Sequence, residues 1–364
     1  MITLEIITDK EIFYSLRKDW NNVLEKSGVN NPYLTHEFLS SWLKAYGFNK
    51  ELCIVSFKDE SSYIGFIPLV GQRINPCLPF KEITFFCNHW GPMDFLLSGN
   101  NRLCISLFID WFKSLKKSEI LTLSRISYES QNHSLLLEAL RKKQMSFEKI
   151  NIKNLKISLI SNWDDYLMTR SKKFRYEVKS KRKKMSDSGR LCYERKYSFS
   201  NLKKDLSDIS MVAGSSWKHG KKAGVGQTAR GLDFYRNILT EWSDSRNIDL
   251  SLLRLNGSLL AYAVRLNYKD KYYAFEASYS KDYHDYSPGM VLQSFLIEDL
   301  FKEGRVKSFE LGESDSTKAR WADESVDEAK FIIYNSELFS KLFHTAKRFF
   351  KKCCIKNKIS NIKN

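Results

Sequence analysis

No stretch of this chain reaches the ~18 to 20 uncharged apolar residues that a membrane-spanning helix needs. Its first residues, MITLEIITDKE, carry neither a basic n-region nor an apolar h-region, so no secretory leader is expected. Cysteine is sparse and unpatterned. Cys53, Cys77, Cys87, Cys104, Cys192, Cys353 and Cys354 are odd in number, and none forms a C-x-x-C pair or a His–Cys spacing suited to zinc. A disulfide framework is therefore excluded, reduced thiols in a cytoplasm are expected, and no metal is called for. The segment GVGQTARG (224–231) lacks the G-K-[ST] ending of a phosphate-binding loop, and no apolar strand precedes it, which argues against nucleotide hydrolysis.

What is present is enough for folded cores. At 364 residues, with 43% hydrophobic and 14% aromatic residues, the chain has room for two domains of ordinary size. The formal net charge of +17 is uneven: residues 170–184 hold nine bases and one acid, Glu177, and residues 341–364 hold eight bases and no acid. Nucleic acid, an anionic membrane face or a phosphate-bearing small molecule would each suit such an excess, and so would a solvated helix face with a tail. Charge alone does not choose among them.

The most telling stretch runs from Tyr272 to Trp321. KYYAFEASYS (271–280) is aromatic-rich, as strands are. Ser287, Pro288 and Gly289 then punctuate the start of a helix over 290–303, with Leu292, Phe295, Leu296 and Leu300 on one face. Gly304 stands where a helix end favours positive φ, and VKSFEL (306–311) reads as the next strand. A helix N-terminus directly after a strand suits an anion such as a pyrophosphate; an ordinary βαβ turn has the same local pattern.

Two strand–turn–strand units suggest a duplication. Leu52 to Val70 is one; Leu250 to Asn267, with Asn256-Gly257 at its turn, is the other. Each follows a helical pattern, at 37–46 and 231–245, and only the second is followed by the Ser-Pro-Gly helix start. Between the two lies a basic helix expected over 163–189, with Asn162 as its N-cap and acids in its first turn.

The run YHDYSPGMVLQSFLIEDLFKEG followed by FELGESDSTKARW resembles the CelD/BcsL-type acetyltransferases, a branch of the GNAT superfamily akin to Fem-type transferases. The resemblance extends diffusely over residues 10–325. It includes Phe38 to Trp42, the strands ending IGFIPL, a basic segment from Lys173 to Gly189, and Gly312, Asp315, Lys318 and Trp321 in a Gly…Asp-x-x-Lys-x-x-Trp pattern. Thr317 departs from the aromatic that the family commonly places before the lysine, which puts the local substrate contact in doubt. The resemblance implies an α/β fold of α+β character, with a mixed sheet and tandem GNAT-like acyltransferase domains. The expected divisions are an N-terminal domain at 1–160, the basic helix at 161–190, the donor-binding domain at 191–336 and a basic tail at 337–364.

Acyl transfer from a thioester then assigns candidates. Backbone donors for a pyrophosphate come from Gly289, Met290 and Val291, flanked by Tyr279, Ser287 and Pro288. The strand 274–279 can take a pantetheine arm along its edge. Glu276 is the first candidate for the base, and His284 the second. Tyr283 is placed to meet the leaving thiolate, and Lys318 a developing oxyanion. Trp217, Lys218, His219, Asp315, Arg320 and Trp321 are candidate acceptor contacts; Trp217 and Lys318 equally suit a core anchor and a surface lysine.

The tail LFSKLFHTAKRFFKK (338–352) has its aromatics at helical spacing among lysines. It can lie on an anionic membrane or cap the second domain. The expected activity is N-acyl transfer from acetyl-CoA or another acyl-CoA to an amine. By resemblance, the acceptor is an amino sugar or precursor in bacterial surface-polysaccharide synthesis, lipid-linked or nucleotide-activated. The expected location is cytoplasmic, with peripheral contact at the inner membrane face. The alternatives are a Fem-like transferase using aminoacyl-tRNA and a basic nucleic-acid-binding module.

Overall fold

The computed structural model describes residues 1–73, 81–87, 90–116, 119–216 and 225–336. Trp217, Lys218, His219 and the tail from residue 337 onward lie outside the described residues.

The fold is mixed α/β. Four strands, Ile2–Ile7, Ile54–Asp59, Ser62–Ile67 and Leu96–Leu97, form a small antiparallel sheet in that order. Eleven more form one continuous sheet. Its order is Leu191–Lys196, Ile248–Leu255, Ser258–Tyr268, Lys271–Tyr279, Ser308–Glu313, Ser146–Ser158, Glu324–Tyr334, Glu119–Ser127, Lys81–Phe85, Leu69–Arg73 and Glu51–Leu52. The last described strand, Glu324–Tyr334, is thus paired antiparallel between Glu119–Ser127 and Ser146–Ser158. Backbone hydrogen bonding runs without a break from the first half of the chain to the second.

Local chemistry explains the elements. Asn256 and Gly257 take φ of 51° and 85°, the left-handed pair that a two-residue hairpin turn requires, and Ile248–Leu255 and Ser258–Tyr268 pair across them. Helices His36–Tyr46 and Ala229–Glu241, each just ahead of a hairpin, meet through Phe38 and Phe234, whose ring centroids are 5.6 Å apart. Burying such a ring is worth roughly 1.5–3 kcal/mol, so this contact helps to weld the two halves. On the opposite sheet face, helix Pro288–Glu303 buries Leu292, Leu296, Ile297 and Leu300.

The basic segment departs from the single helix expected over 163–189. Asn162 does accept from the Asp165 N–H, but that helix ends at Met168, and a second one runs Lys172–Asp187. Ser171 causes the break. Extended at φ −60°, ψ 148°, it turns its hydroxyl to the Phe174 N–H and starts a new helix. The second helix is fastened to Pro288–Glu303 by Arg182, which donates to Ser294 Oγ at 2.7 Å and pairs with Glu298 at 2.5 Å.

Candidate active site

The site begins where two parallel strands stop pairing. Lys271–Tyr279 and Ser308–Glu313, joined by the crossover helix Pro288–Glu303, pair only as Lys271↔Ser308, Tyr272↔Phe309 and Tyr273↔Glu310. Beyond that point they separate. Residues 274–279 are no longer paired with Ser308–Glu313. The parting opens a cleft of about 700 Å³. Ala274, Ala277 and Tyr279 form one wall, Gly289 and Gln293 another, and Leu311 and Trp321 the third.

Ser287 takes the left-handed conformation (φ 52°, ψ 52°) and makes no side-chain cap, and Pro288 follows at the first helical position. The expectation of three free amides here is corrected. Met290 N–H and Val291 N–H both donate to the Ser287 carbonyl, at 3.0 and 3.1 Å, and the Val291 side chain is buried in the core. Pro288 has no N–H and its side chain is buried as well. The Gly289 N–H is left as the first-turn donor beside the cleft, with no backbone acceptor among the described residues. A Cβ at Gly289 would sit 3.2 Å from Tyr279 Cδ1, so the glycine keeps this end of the cleft open. These features fit the anionic end of a thioester donor.

Across the cleft, Asp315 caps the short helix Ser316–Ala319, accepting from the Thr317 and Lys318 N–H groups at 2.8 and 2.9 Å. Burial pushes its pKa upward, but the Lys318 and Thr317 amides and the Lys318 ammonium outweigh that and hold it below the usual carboxylate range. The carboxylate therefore shapes the loop. Lys318 Nζ donates to the Glu313 carbonyl at 2.8 Å. Arg320 is spent on Glu177 and on the Phe174 ring, and Trp321 is 4% exposed and set edge-on to Phe174.

The remaining candidates are scattered. Glu276 meets the Tyr262 hydroxyl at 3.3 Å and, among the described residues, walls neither this cleft nor the cavity described below. His284 stands exposed at the cleft mouth, 3.0 Å from Asp285. Tyr283 packs near Tyr286 and away from the cleft wall.

Sequence reasoning missed a second cavity of about 270 Å³ between the two halves. It shares Ala274, Leu311 and Lys318 with the larger cleft, so the two spaces meet where the strands part. Glu310, Glu313, Glu328 and Arg125 face it. Arg125 Nε lies 3.1 Å from Glu328 Oε2, and Arg125 itself sits at φ 68°, a strained position for a non-glycine residue. Burial raises the Glu328 pKa to about 7, with Arg125 working against it and Glu310 and Glu313 with it. Burial likewise raises Glu310, opposed by the Ser308 hydroxyl and Lys271. Arg265, buried beside the larger cleft, was missed too. Its signal was available: a charge in the middle of the apolar strand LAYAVRLNY (260–268).

Residues 172–321 match the family model described as an acetyltransferase (GNAT) domain. This segment contains the helix start, the parted strands and the Asp315–Trp321 loop. That match supports an acyltransferase enzyme, and the mixed α/β architecture is the one expected. Among solved structures, FemX is similar at 13% identity, covering 93% of this chain and 99% of that one with a TM-score of 0.60. The C-terminal domain of a putative lysylphosphatidylglycerol synthetase from Agrobacterium fabrum is similar at 11% identity, covering 92% and 95% with a TM-score of 0.57. L-PGS from Bacillus licheniformis is similar at 13% identity, covering 94% and 97% with a TM-score of 0.56. Such likenesses describe the fold. A search of curated proteins found no match to the chain.

Proposed function

We propose that this protein transfers an acyl group from an acyl-CoA-type thioester to a primary amine, the donor entering through the 700 Å³ cleft and the acceptor through the 270 Å³ cavity between the halves. One observation carries the reading: the two spaces touch at Ala274, Leu311 and Lys318, beside the last paired residues of the parted strands.

Each residue then has a role. The Gly289 N–H and the helix dipole behind it attract the donor's phosphates. The strand at residues 274–279, parted from Ser308–Glu313, runs alongside an extended amide-bearing arm. Glu328 takes the proton from the attacking amine, a task suited to a carboxylate titrating near neutrality. Lys318 lends positive charge to the carbonyl oxygen as the carbon–nitrogen bond forms and the carbon–sulfur bond breaks. The acceptor class that suits the smaller cavity is an amino sugar or similar precursor of a bacterial surface polysaccharide, in keeping with the sequence resemblance.

One feature favours a second reading. Helix Lys172–Asp187 carries a basic face beside the cleft, and Arg170, Lys173 and Arg320 line an adjoining groove of about 480 Å³. A Fem-like aminoacyl donor carried on tRNA would use that face, and the fold likeness to FemX accommodates it. Thermal unfolding with acetyl-CoA and, separately, with RNA separates the two. A rise in Tm with acetyl-CoA alone supports the thioester reading. Steeply salt-dependent RNA binding with no response to CoA would replace it with the tRNA reading.

A further inference from the structure

Three arginines of the interior are paired with carboxylates. Arg125 meets Glu328 at 3.1 Å, Arg182 meets Glu298 at 2.5 Å, and Arg195 meets Asp249 at 3.1 Å and Glu303 at 2.7 Å. Arg265 breaks the pattern. It is 5% exposed, yet among the described residues its guanidinium donates to uncharged oxygens: the Val264 carbonyl at 3.2 Å, the Glu276 carbonyl at 2.8 Å and Gln293 Oε1 at 3.2 Å. Its Nε has no hydrogen-bond partner among the described residues. Asp249, a nearby acid, is committed to Arg195 and to the Tyr272 hydroxyl. Burial draws the Arg265 pKa down, opposed by Tyr272, Asp249, Glu276 and Tyr33. Its charge is balanced only at a distance, by Asp249, its register partner on the neighbouring strand, and by Glu276, so a carboxylate in direct contact would lower the cost of burying it.

Its position says which part of a ligand would bring that anion. Arg265 is the register partner of Ala274, the first residue beyond the pairing of Lys271–Tyr273 with Ser308–Glu310. It lines the donor cleft beside Gln293, one helical turn deeper than Gly289. The phosphate end of the donor belongs at Gly289, so Arg265 faces the opposite, reactive end.

Building on the thioester reading above, we infer that the transferred acyl group carries its own carboxylate, which Arg265 recognises. The donor is then the thioester of a dicarboxylic acid. A transient oxyanion is a poorer match, because the guanidinium already lacks a contacting carboxylate among the described residues in the resting protein and Lys318 already stands at the junction. A carboxylate meets Arg265 in the ground state and supplies the contacting pair.

The test is titration calorimetry of the full chain with acetyl-CoA and succinyl-CoA. Wild type is expected to bind succinyl-CoA more tightly by roughly ten- to a hundredfold, the range of a buried charge-assisted pair. Arg265→Gln should close that gap by weakening succinyl-CoA, and Arg265→Lys should keep part of it. Equal affinity of wild type for the two thioesters overturns the inference and leaves the thioester reading standing. Binding of neither removes both. Should Arg265→Gln fail to fold, because Arg265 also holds two strand carbonyls, the wild-type comparison and the lysine variant still decide.

Discussion

At the scale of single residues, Glu328 carries the sharpest consequences. Its carboxyl is raised from 4.5 to about 7, chiefly by burial. A base must be ionised to act, so kcat/KM should climb as pH rises through about 7. Glu328→Gln should lose that limb of the profile along with roughly 10²- to 10⁴-fold of the rate. Stability should move the other way. With the folded value above the unfolded one, the native state holds the extra proton between them. Its contribution is complete below the ordinary carboxyl range and is lost as pH rises through about 7. Tm measured from pH 5 to 8 should therefore fall less steeply in Glu328→Gln than in wild type, and parallel slopes would remove Glu328 from the account. Gly289 makes a separate prediction. With only 3.2 Å between a Cβ there and Tyr279, Gly289→Val should raise the KM for the thioester at least about tenfold while changing Tm little.

Among the elements, the four-residue helix Ser316–Ala319 depends on its cap more than a long helix would. Asp315 satisfies two of its N–H groups and holds Lys318 within 3.4 Å, while the same turn delivers Trp321 to the core. Asp315→Ala should cost about 1 kcal/mol of stability, the usual worth of an N-cap, and lower kcat/KM by releasing Lys318 from the junction of the two cavities. Asp315→Asn, which keeps an acceptor for the amides, should recover most of the stability. Thermal melts and steady-state kinetics on both variants read this out. Elements were where the sequence spoke most clearly. The Asn256-Gly257 hairpin, the helix after Ser287-Pro288 and its end at Gly304 each rest on a backbone conformation that few residues supply. The break at Ser171 was hidden because a serine inside a basic helical pattern carries the same letters whether it caps or continues.

For the molecule as a whole, what sequence left unread was pairing between distant strands. Nothing in ESVDEAKFIIY (324–334) announces that it will lie between Glu119–Ser127 and Ser146–Ser158, because register is set by partners far along the chain. Yet this pairing places Glu328 beside Arg125, so the acceptor cavity could not be seen from local pattern. The helix-start motif, by contrast, is contiguous, and the cleft beside it could be placed from local pattern. The same pairing bears on cooperativity. One eleven-stranded sheet crosses both halves, and the final described strand is hydrogen-bonded within the first. Separating the halves would expose the edges of Ser146–Ser158 and Ser308–Glu313 together with the Phe38–Phe234 contact. Calorimetry of the intact chain should accordingly show one transition, with the calorimetric enthalpy matching the van't Hoff value. Ending the chain at Asp323 removes the shared strand, and should lower stability in both halves at once, read by proteolysis on either side of residue 160. Two resolved transitions in the intact chain, or a truncation that spares residues 1–160, would show that the sheet is continuous in geometry but not in energy.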